Sequence, residues 1–204
     1  HLSVEGLKRI TEPVDILDRD AFEKELNELG SLRAKADAIR TRLAKSINTK
    51  YQENPAYYEN FSKRIKEALE LYKARTITEA EYLAKMRDIL EDYRTGKSAI
   101  AYPDRIRANV HAQAFYGVLT AIFSNEKLSV EPDFAAEMAL DITAIIEKHS
   151  QVDWTHNLTI HDRISQDIDD LFYRYQKEMG LVLSFDVIDM IIENVKTVAL
   201  RRFA

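Results

Sequence analysis

Apolar residues recur every three to four positions along almost the whole chain, and no stretch sustains two-residue alternation. That periodicity places one stripe of aliphatic and aromatic side chains on each successive segment, which is what an amphipathic helix needs and a half-buried strand does not. The expected fold class is therefore all-α, an irregular multi-helix bundle of about seven helices with one long N-terminal helix. Phe22, Leu26, Leu29, Leu32, Ala36, Ile39, Leu43 and Ile47 form the first stripe, predicting a single helix from about Asp20 to Asn48, with Gly30 as a weak point or kink.

The remaining helices are delimited by start and stop signals. Asn54-Pro55 supplies a cap and a first-turn proline for a helix with Tyr58, Phe61, Ile65, Leu69 and Tyr72 inward. Thr78-Glu79-Ala80-Glu81 has capping-box spacing and opens a third helix, carrying Tyr82, Met86, Ile89 and Tyr93 to a stop at Gly96. A fourth is expected from about Pro103 to Phe123, buried on most sides from Val110 onwards. Pro132-Asp133 starts a fifth, through Phe134, Met138, Ile142 and Ile145 to His149. The sixth takes Ile160, Ile164, Ile168, Leu171 and Tyr175 to Gly180. Ser184 caps the seventh, with Phe185, Ile188, Ile192, Val195 and Ala199 inward up to Arg201-Arg202. Residues 1–204 read as a single helical domain, and the Asn125–Pro132 loop is the place where subdomains 12–123 and 132–204 would part.

At 204 residues the chain is long enough to bury about 70% of the surface its unfolded form exposes. Cysteine is absent, which excludes disulfides and thiolate metal sites. No apolar run approaches the ~20 residues of a membrane span, so no membrane partner and a cytoplasmic location are expected. The chain opens at His1 and reads as an excised piece of a longer polypeptide.

A net charge of -5 conceals an uneven distribution. Glu12 to Glu28 holds seven acids against Arg19 and Lys24. The next segment reverses the sign: Arg33, Lys35, Arg40, Arg42, Lys45 and Lys50 face only Asp37, and these six are the candidates for touching a DNA backbone. A solvated helix face is the plainer account of the same run. Glu131 to Asp170 then holds ten acids against Lys148 and Arg163, a surface that would repel a polyanion.

No complete catalytic motif accompanies this scaffold, and no catalytic residue is assigned. Arg94-Thr95-Gly96-Lys97-Ser98 contains the Gly-Lys-Ser of a phosphate-binding loop. That loop requires a glycine five positions earlier, where Glu91 stands in a helical pattern, and a strand before it. A restriction-type nuclease core places an acid two residues before a lysine to hold metal and phosphate together, and no lysine here has one. His149, His156 and His161 lie near Asp153 and Asp162, but they lack the spacing of a zinc or di-iron site; His156 and His161 would point about 140° apart on a helix. No metal ligand is assigned. Trp154, the sole tryptophan, reads as a structural anchor plugging a helix junction, with Asp153 or Thr155 capping the next helix or binding the indole N–H. Tyr51, Tyr57 and Tyr58 beside Lys50, Lys63 and Arg64 read as packing residues before base-stacking ones.

Three stretches together resemble the C-terminal helical region of the motor, or R, subunit of type I restriction-modification enzymes. The first is Phe61-Ser62-Lys63-Arg64-Ile65-Lys66-Glu67 through Leu71-Tyr72, with Ala80-Glu81-Tyr82-Leu83 following. The second is Gln113-Ala114-Phe115-Tyr116-Gly117-Val118-Leu119. The third and most specific runs from Ile142 through Val152-Asp153-Trp154-Thr155 to Tyr175, extended by Ile188-Asp189 and Ala199 to Phe203. Their order and spacing carry the likeness, which spans roughly Ala21 to Phe203.

The resemblance implies a parent subunit that is an ATP-dependent DNA translocase and site-specific endonuclease, whose C-terminal part docks on the methyltransferase core and contributes to DNA contact. The implied partners are the methyltransferase and specificity subunits, with non-specific double-stranded DNA besides. ATP and Mg would serve the parent subunit, and no cofactor is implied for this chain. Where many members carry a basic helix after the tryptophan turn, this chain has Asp162-Arg163-Ile164-Ser165-Gln166-Asp167-Ile168-Asp169-Asp170. Asp162, Asp167, Asp169 and Asp170 are therefore candidates for docking a protein. A helical interaction scaffold unrelated to restriction is the alternative reading.

Overall fold

The computed structural model describes residues 14–97, 100–151 and 153–204. Among them the chain forms eight α-helices and no strand: α1 Arg19–Asn27, α2 Leu32–Lys50, α3 Pro55–Lys73, α4 Glu79–Arg94, α5 Val110–Asn125, α6 Pro132–His149, α7 Leu158–Met179 and α8 Phe185–Arg202. Short 3-10 turns lie at Tyr51–Glu53, Asp104–Ile106 and Trp154–His156. The all-α class expected from periodicity is what the chain adopts.

The expected single helix from Asp20 to Asn48 is instead two. Ser31 ends the continuity, because its hydroxyl accepts from the Ala34 amide at 3.0 Å and so caps a new helix. Eight helices therefore replace the expected seven. The start of the fourth expected helix also moves. Pro103 leads into a 3-10 turn, and the Asn109 side chain accepts from the amides of His111 and Ala112, so α5 begins only at Val110.

Other signals act where they stand. The Asn54 carboxamide accepts from Tyr57 N at the head of α3. Thr78 and Glu81 form a reciprocal capping box on α4, Pro132 occupies the first turn of α6, and Ser184 caps α8. Gly96 and Gly180 stop α4 and α7 in the left-handed conformation, at φ +70° and +69°.

The chain divides into two compact units, and the division falls inside α2 and α3. The first takes the chain up to Lys45 together with Ile65–Gly96. Its core is built from Phe22 and Leu26 of α1, Ala36, Ile39 and Leu43 of α2, Ile65 and Ala68 of α3, and Tyr82, Met86, Ile89 and Leu90 of α4. Around that core, Arg87 reaches Glu23 at 2.8 Å and Arg94 donates from Nε to the Ile16 carbonyl at 2.6 Å, tying α4 to α1 and the segment before it.

The second unit takes Ser46–Arg64 and everything from Lys97 to Ala204, so the Asn125–Pro132 loop lies inside it. Its centre is α5, buried at every position from Ala114 to Leu119 and packed against α6 and α8. A helix apolar on all sides has to sit inside. Helix α7 lays Ile164, Ile168, Leu171, Phe172 and Tyr175 against α6 and α8. Phe185, expected to point inward, is 84% exposed, because as the first residue of α8 it extends past the packed part of that helix.

Candidate functional site

The basic candidates on α2 are separated by the helix itself. Ala36, Ile39, Leu43 and Ile47 are buried, which leaves the cations on the remaining faces. Arg33 and Arg40 are seven residues apart and share a face, about 20° off alignment. Both engage Asp37, Arg33 at 3.7 Å and Arg40 at 3.4 Å. Arg42 turns the other way and donates to Glu25 of α1 at 2.8 Å, both side chains being mostly buried. Lys35 and Lys50 are half-buried and Lys45 is exposed, about 120° round the helix from Arg33. Lys50 belongs to the second unit and the other five to the first. The six residues thus do not make one continuous face.

Where α3 turns into α4, the first unit has a groove of about 460 Å³. It is lined by Arg33, Tyr72, Lys73, Arg75, Thr78 and Glu79. Lys73 and Arg75 were not singled out from sequence; two cations at a helix end that lacks a glycine stop were the available signal.

The four acidic candidates on α7 also divide. Taking Asp162 as origin, Asp169 lies about 20° to one side, Asp170 about 80° and Asp167 about 140° to the other. Asp162 and Asp169 are exposed. Asp167 is held by Lys148 Nζ at 2.9 Å and His149 Nε2 at 2.8 Å, both on α6, and these hydrogen bonds keep its carboxyl below the ordinary carboxylate range. Asp170 lies on a second groove, of about 370 Å³, with Asp141, Ile145, Lys148 and Arg174. Tyr175 donates to Asp141 at 2.7 Å, and burial together with that bond pushes its phenol pKa well up.

Trp154 is 3% exposed, and its Nε1 donates to the Phe203 carbonyl at 3.0 Å. Neither Asp153 nor Thr155 binds the indole or caps α7. Asp153 adopts φ +61° with no side-chain cap bond, and Asn157 caps α7 by accepting from Ile160 N. His161 meets the indole edge-on, its Nε2 3.1 Å from the Trp154 carbonyl oxygen. His149 bonds Asp167 and His156 contacts Thr155. Among the described residues no group of three or more acids and histidines gathers in a way that could hold a metal. Tyr51 donates to Glu59 at 2.9 Å, while Tyr57 packs edge-on against Tyr58 and Phe61. The Gly-Lys-Ser segment follows a helix, with Gly96 as its stop; Ser98 lies outside the described residues.

A family model described as "Type I restriction enzyme HindI endonuclease subunit-like, C-terminal" matches residues 4–199. The chain belongs to this family. No curated protein and no solved structure matches it. As a C-terminal domain of the type I restriction endonuclease subunit family, it has most of both units within the matched span, including the α3–α4 groove, the tryptophan turn and the acidic α7. No described helix of this restriction-subunit domain is long and apolar enough to cross a membrane.

Proposed function

We propose that this chain is the assembly domain of a type I restriction enzyme R subunit. It docks the ATP-dependent translocase and nuclease on the methyltransferase core, with a secondary, sequence-indifferent contact to duplex DNA. The observation that carries the reading is the family match across residues 4–199. Catalysis is assigned to other parts of the subunit, where ATP and Mg would act, because this sequence supplies neither a complete phosphate loop nor an acid two residues before any lysine.

Two features of the second unit support docking through α7 and its junction with α8. Asp162 and Asp169 stand exposed on one line of α7, where they repel phosphates and attract a basic protein surface. The junction with α8 presents Met179, Val182 and Phe185 to solvent, the last two more than 80% exposed. Large apolar side chains clustered at one turn are the usual mark of a protein contact.

The test is co-purification of the full subunit with a tagged methyltransferase–specificity complex. Wild type should be retained, and Asp162→Arg/Asp169→Arg should reduce retention while leaving circular dichroism and Tm unchanged. Failure of the wild-type subunit to be retained overturns the assembly role, and unaltered retention of the double variant removes α7 from it.

A further inference from the structure

Arg75 closes α3 in a conformation that an arginine rarely accepts. Its φ is +56°, and it occupies the turn in which Thr76 N donates to the Leu71 carbonyl at 3.0 Å and Arg75 N to that of Tyr72 at 3.0 Å. This is the left-handed stop that glycine or asparagine takes at least cost. The same left-handed stop ends α5 at Lys127, also at φ +56°, so the turn alone assigns no use; what singles out Arg75 is that it lines the groove beside the end of α3.

In the same groove, Arg33 of α2 is held on an aromatic platform. Its guanidinium carbon lies 5.9 Å from the centre of the Tyr72 ring, and Tyr72 stacks on Tyr82 with centroids 4.7 Å apart and planes 6° from parallel. Tyr72 is fixed further by its hydroxyl, which donates to Glu79 at 3.3 Å. Stacking leaves the N–H edges of a guanidinium clear of the ring, and on Arg33 the Nε edge is already paired with Asp37 at 3.7 Å. Lys73 adds a third cation to the lining. Two carboxylates stand nearby: Asp37 is shared by Arg33 and Arg40, and Glu79, which accepts from the neutral Tyr72 hydroxyl and lines the groove, keeps its charge against the three cations.

We propose that the groove lined by Arg33, Lys73 and Arg75 is a phosphate-binding site that grips the sugar–phosphate backbone of duplex DNA. The ring of Tyr72 is taken up by Tyr82 and Arg33, so it offers no platform to a base, and recognition falls to charge alone. Three cations converging from two helices on an open groove suit a passing phosphodiester. The choice of a duplex as the source of that phosphate rests on the restriction-subunit reading, while the groove's affinity for phosphate does not.

The experiment is a fluorescence-anisotropy titration of the intact chain with a short labelled duplex of arbitrary sequence, over a series of salt concentrations, with ATP and inorganic phosphate as competitors. The variant is Lys73→Gln/Arg75→Asn, in which asparagine keeps the left-handed turn. Wild type should bind weakly, and the variant should weaken binding of every duplex alike and reduce the log-log salt slope by about 2, with Tm unchanged. Arg75→Asn alone should retain the fold and lower the slope by about 1. Equal binding by wild type and double variant, or no binding by wild type, overturns the proposal. Displacement of the duplex by ATP at concentrations where inorganic phosphate has no effect overturns the duplex assignment in favour of a nucleotide. Co-purification with the methyltransferase complex is read separately, so losing one result leaves the other standing.

Discussion

Arg202 donates from its Nε to Nδ1 of His111 at 3.3 Å, although 91 residues separate the two in sequence. Its other donors reach the Glu53 and Val110 carbonyls, each at 3.0 Å. The cation is thus satisfied by three neutral acceptors, and burial lowers its pKa. One side chain ties the end of α8 to the start of α5 and to the 3-10 turn at Tyr51–Glu53. The bond requires a lone pair on His111 Nδ1, so the imidazole is neutral and carries its proton on Nε2.

That requirement predicts a pH dependence. Burial, then the charge of Arg202, lowers the His111 pKa from 6.5. The unfolded chain therefore takes up this proton first as pH falls. The His111 contribution to stability is complete above about pH 6.5 and is lost as pH drops from there through the folded-state value. Thermal melts of wild type between pH 8 and 5 should show a fall in Tm over this window that is smaller in His111→Gln. Parallel Tm profiles for the two proteins would contradict the assignment.

Replacing Trp154 by alanine should cost about 3 to 5 kcal/mol, since the ring is buried and its removal leaves a cavity. Trp154→Phe fills most of that space but strands the Phe203 carbonyl, and should cost about 1 kcal/mol for the lost bond plus residual packing. Denaturant melts measure both, and the emission maximum of the single indole should be that of a buried ring. A red, water-exposed maximum with an unchanged midpoint for Trp154→Ala would be incompatible with an anchor.

These features differ in how far the sequence reveals them. Helix α6 runs from Pro132 to His149 as expected, because a first-turn proline and an unbroken stripe agree on one answer. The α1–α2 break was legible only as a weak point at Gly30, and not as a full interruption, because residues 28–31 span about one helical turn. The apolar phase from Leu26 to Ile39 survives an interruption of that length. Ser31 was the cap, and its signal was masked by the stripe running through it. The Trp154 anchor was legible from its neighbours, yet its partner was not: a backbone carbonyl 49 residues away has no sequence signature. The same holds for Arg202, whose two backbone acceptors belong to Glu53 and Val110 only as positions. Arg75 was invisible for the opposite reason, since the residue types that announce a left-handed turn are absent there.

Two glycines should respond oppositely to alanine. A Cβ on Gly117 would lie 2.7 Å from Ala56 Cβ, where α5 crosses the start of α3, so Gly117→Ala forces that crossing apart and should cost about 1 to 3 kcal/mol. A Cβ on Gly30 meets nothing within 4 Å. With no backbone conflict, Gly30→Ala should leave stability unchanged or raise it by about 0.4 to 1 kcal/mol, mainly by restricting the unfolded chain. Equal Tm shifts in the two variants would refute the close approach at Gly117.

The motif deficits lead to a simple expectation for activity. The purified chain supplied with Mg and ATP should neither hydrolyse the nucleotide nor nick supercoiled DNA, because both need groups that this sequence does not bring together. Magnesium-dependent turnover that survives rigorous repurification would contradict the assembly-domain reading.

Arg40 and Arg42 stand two positions apart on α2 and should fail in different ways. Arg42 is paired with Glu25, whose second carboxylate oxygen is buried and has no hydrogen-bond partner among the described residues. Arg42→Gln removes the charge that compensates this carboxylate and should destabilise the chain by about 1 to 3 kcal/mol. Because Arg42 faces α1, duplex affinity measured on the folded fraction should not change. Arg40 sits on the Arg33 face with 35% of its side chain exposed and Asp37 as its partner. A pair of that exposure contributes little to folding, so Arg40→Gln should leave the unfolding free energy within about 0.5 kcal/mol of wild type. If the α2 face adds to the groove in holding DNA, the same variant lowers the log-log salt slope by about 1. Paired denaturant melts and salt titrations separate the two arginines, and a loss of duplex affinity in Arg42→Gln with none in Arg40→Gln would reverse the assignment of the α2 faces.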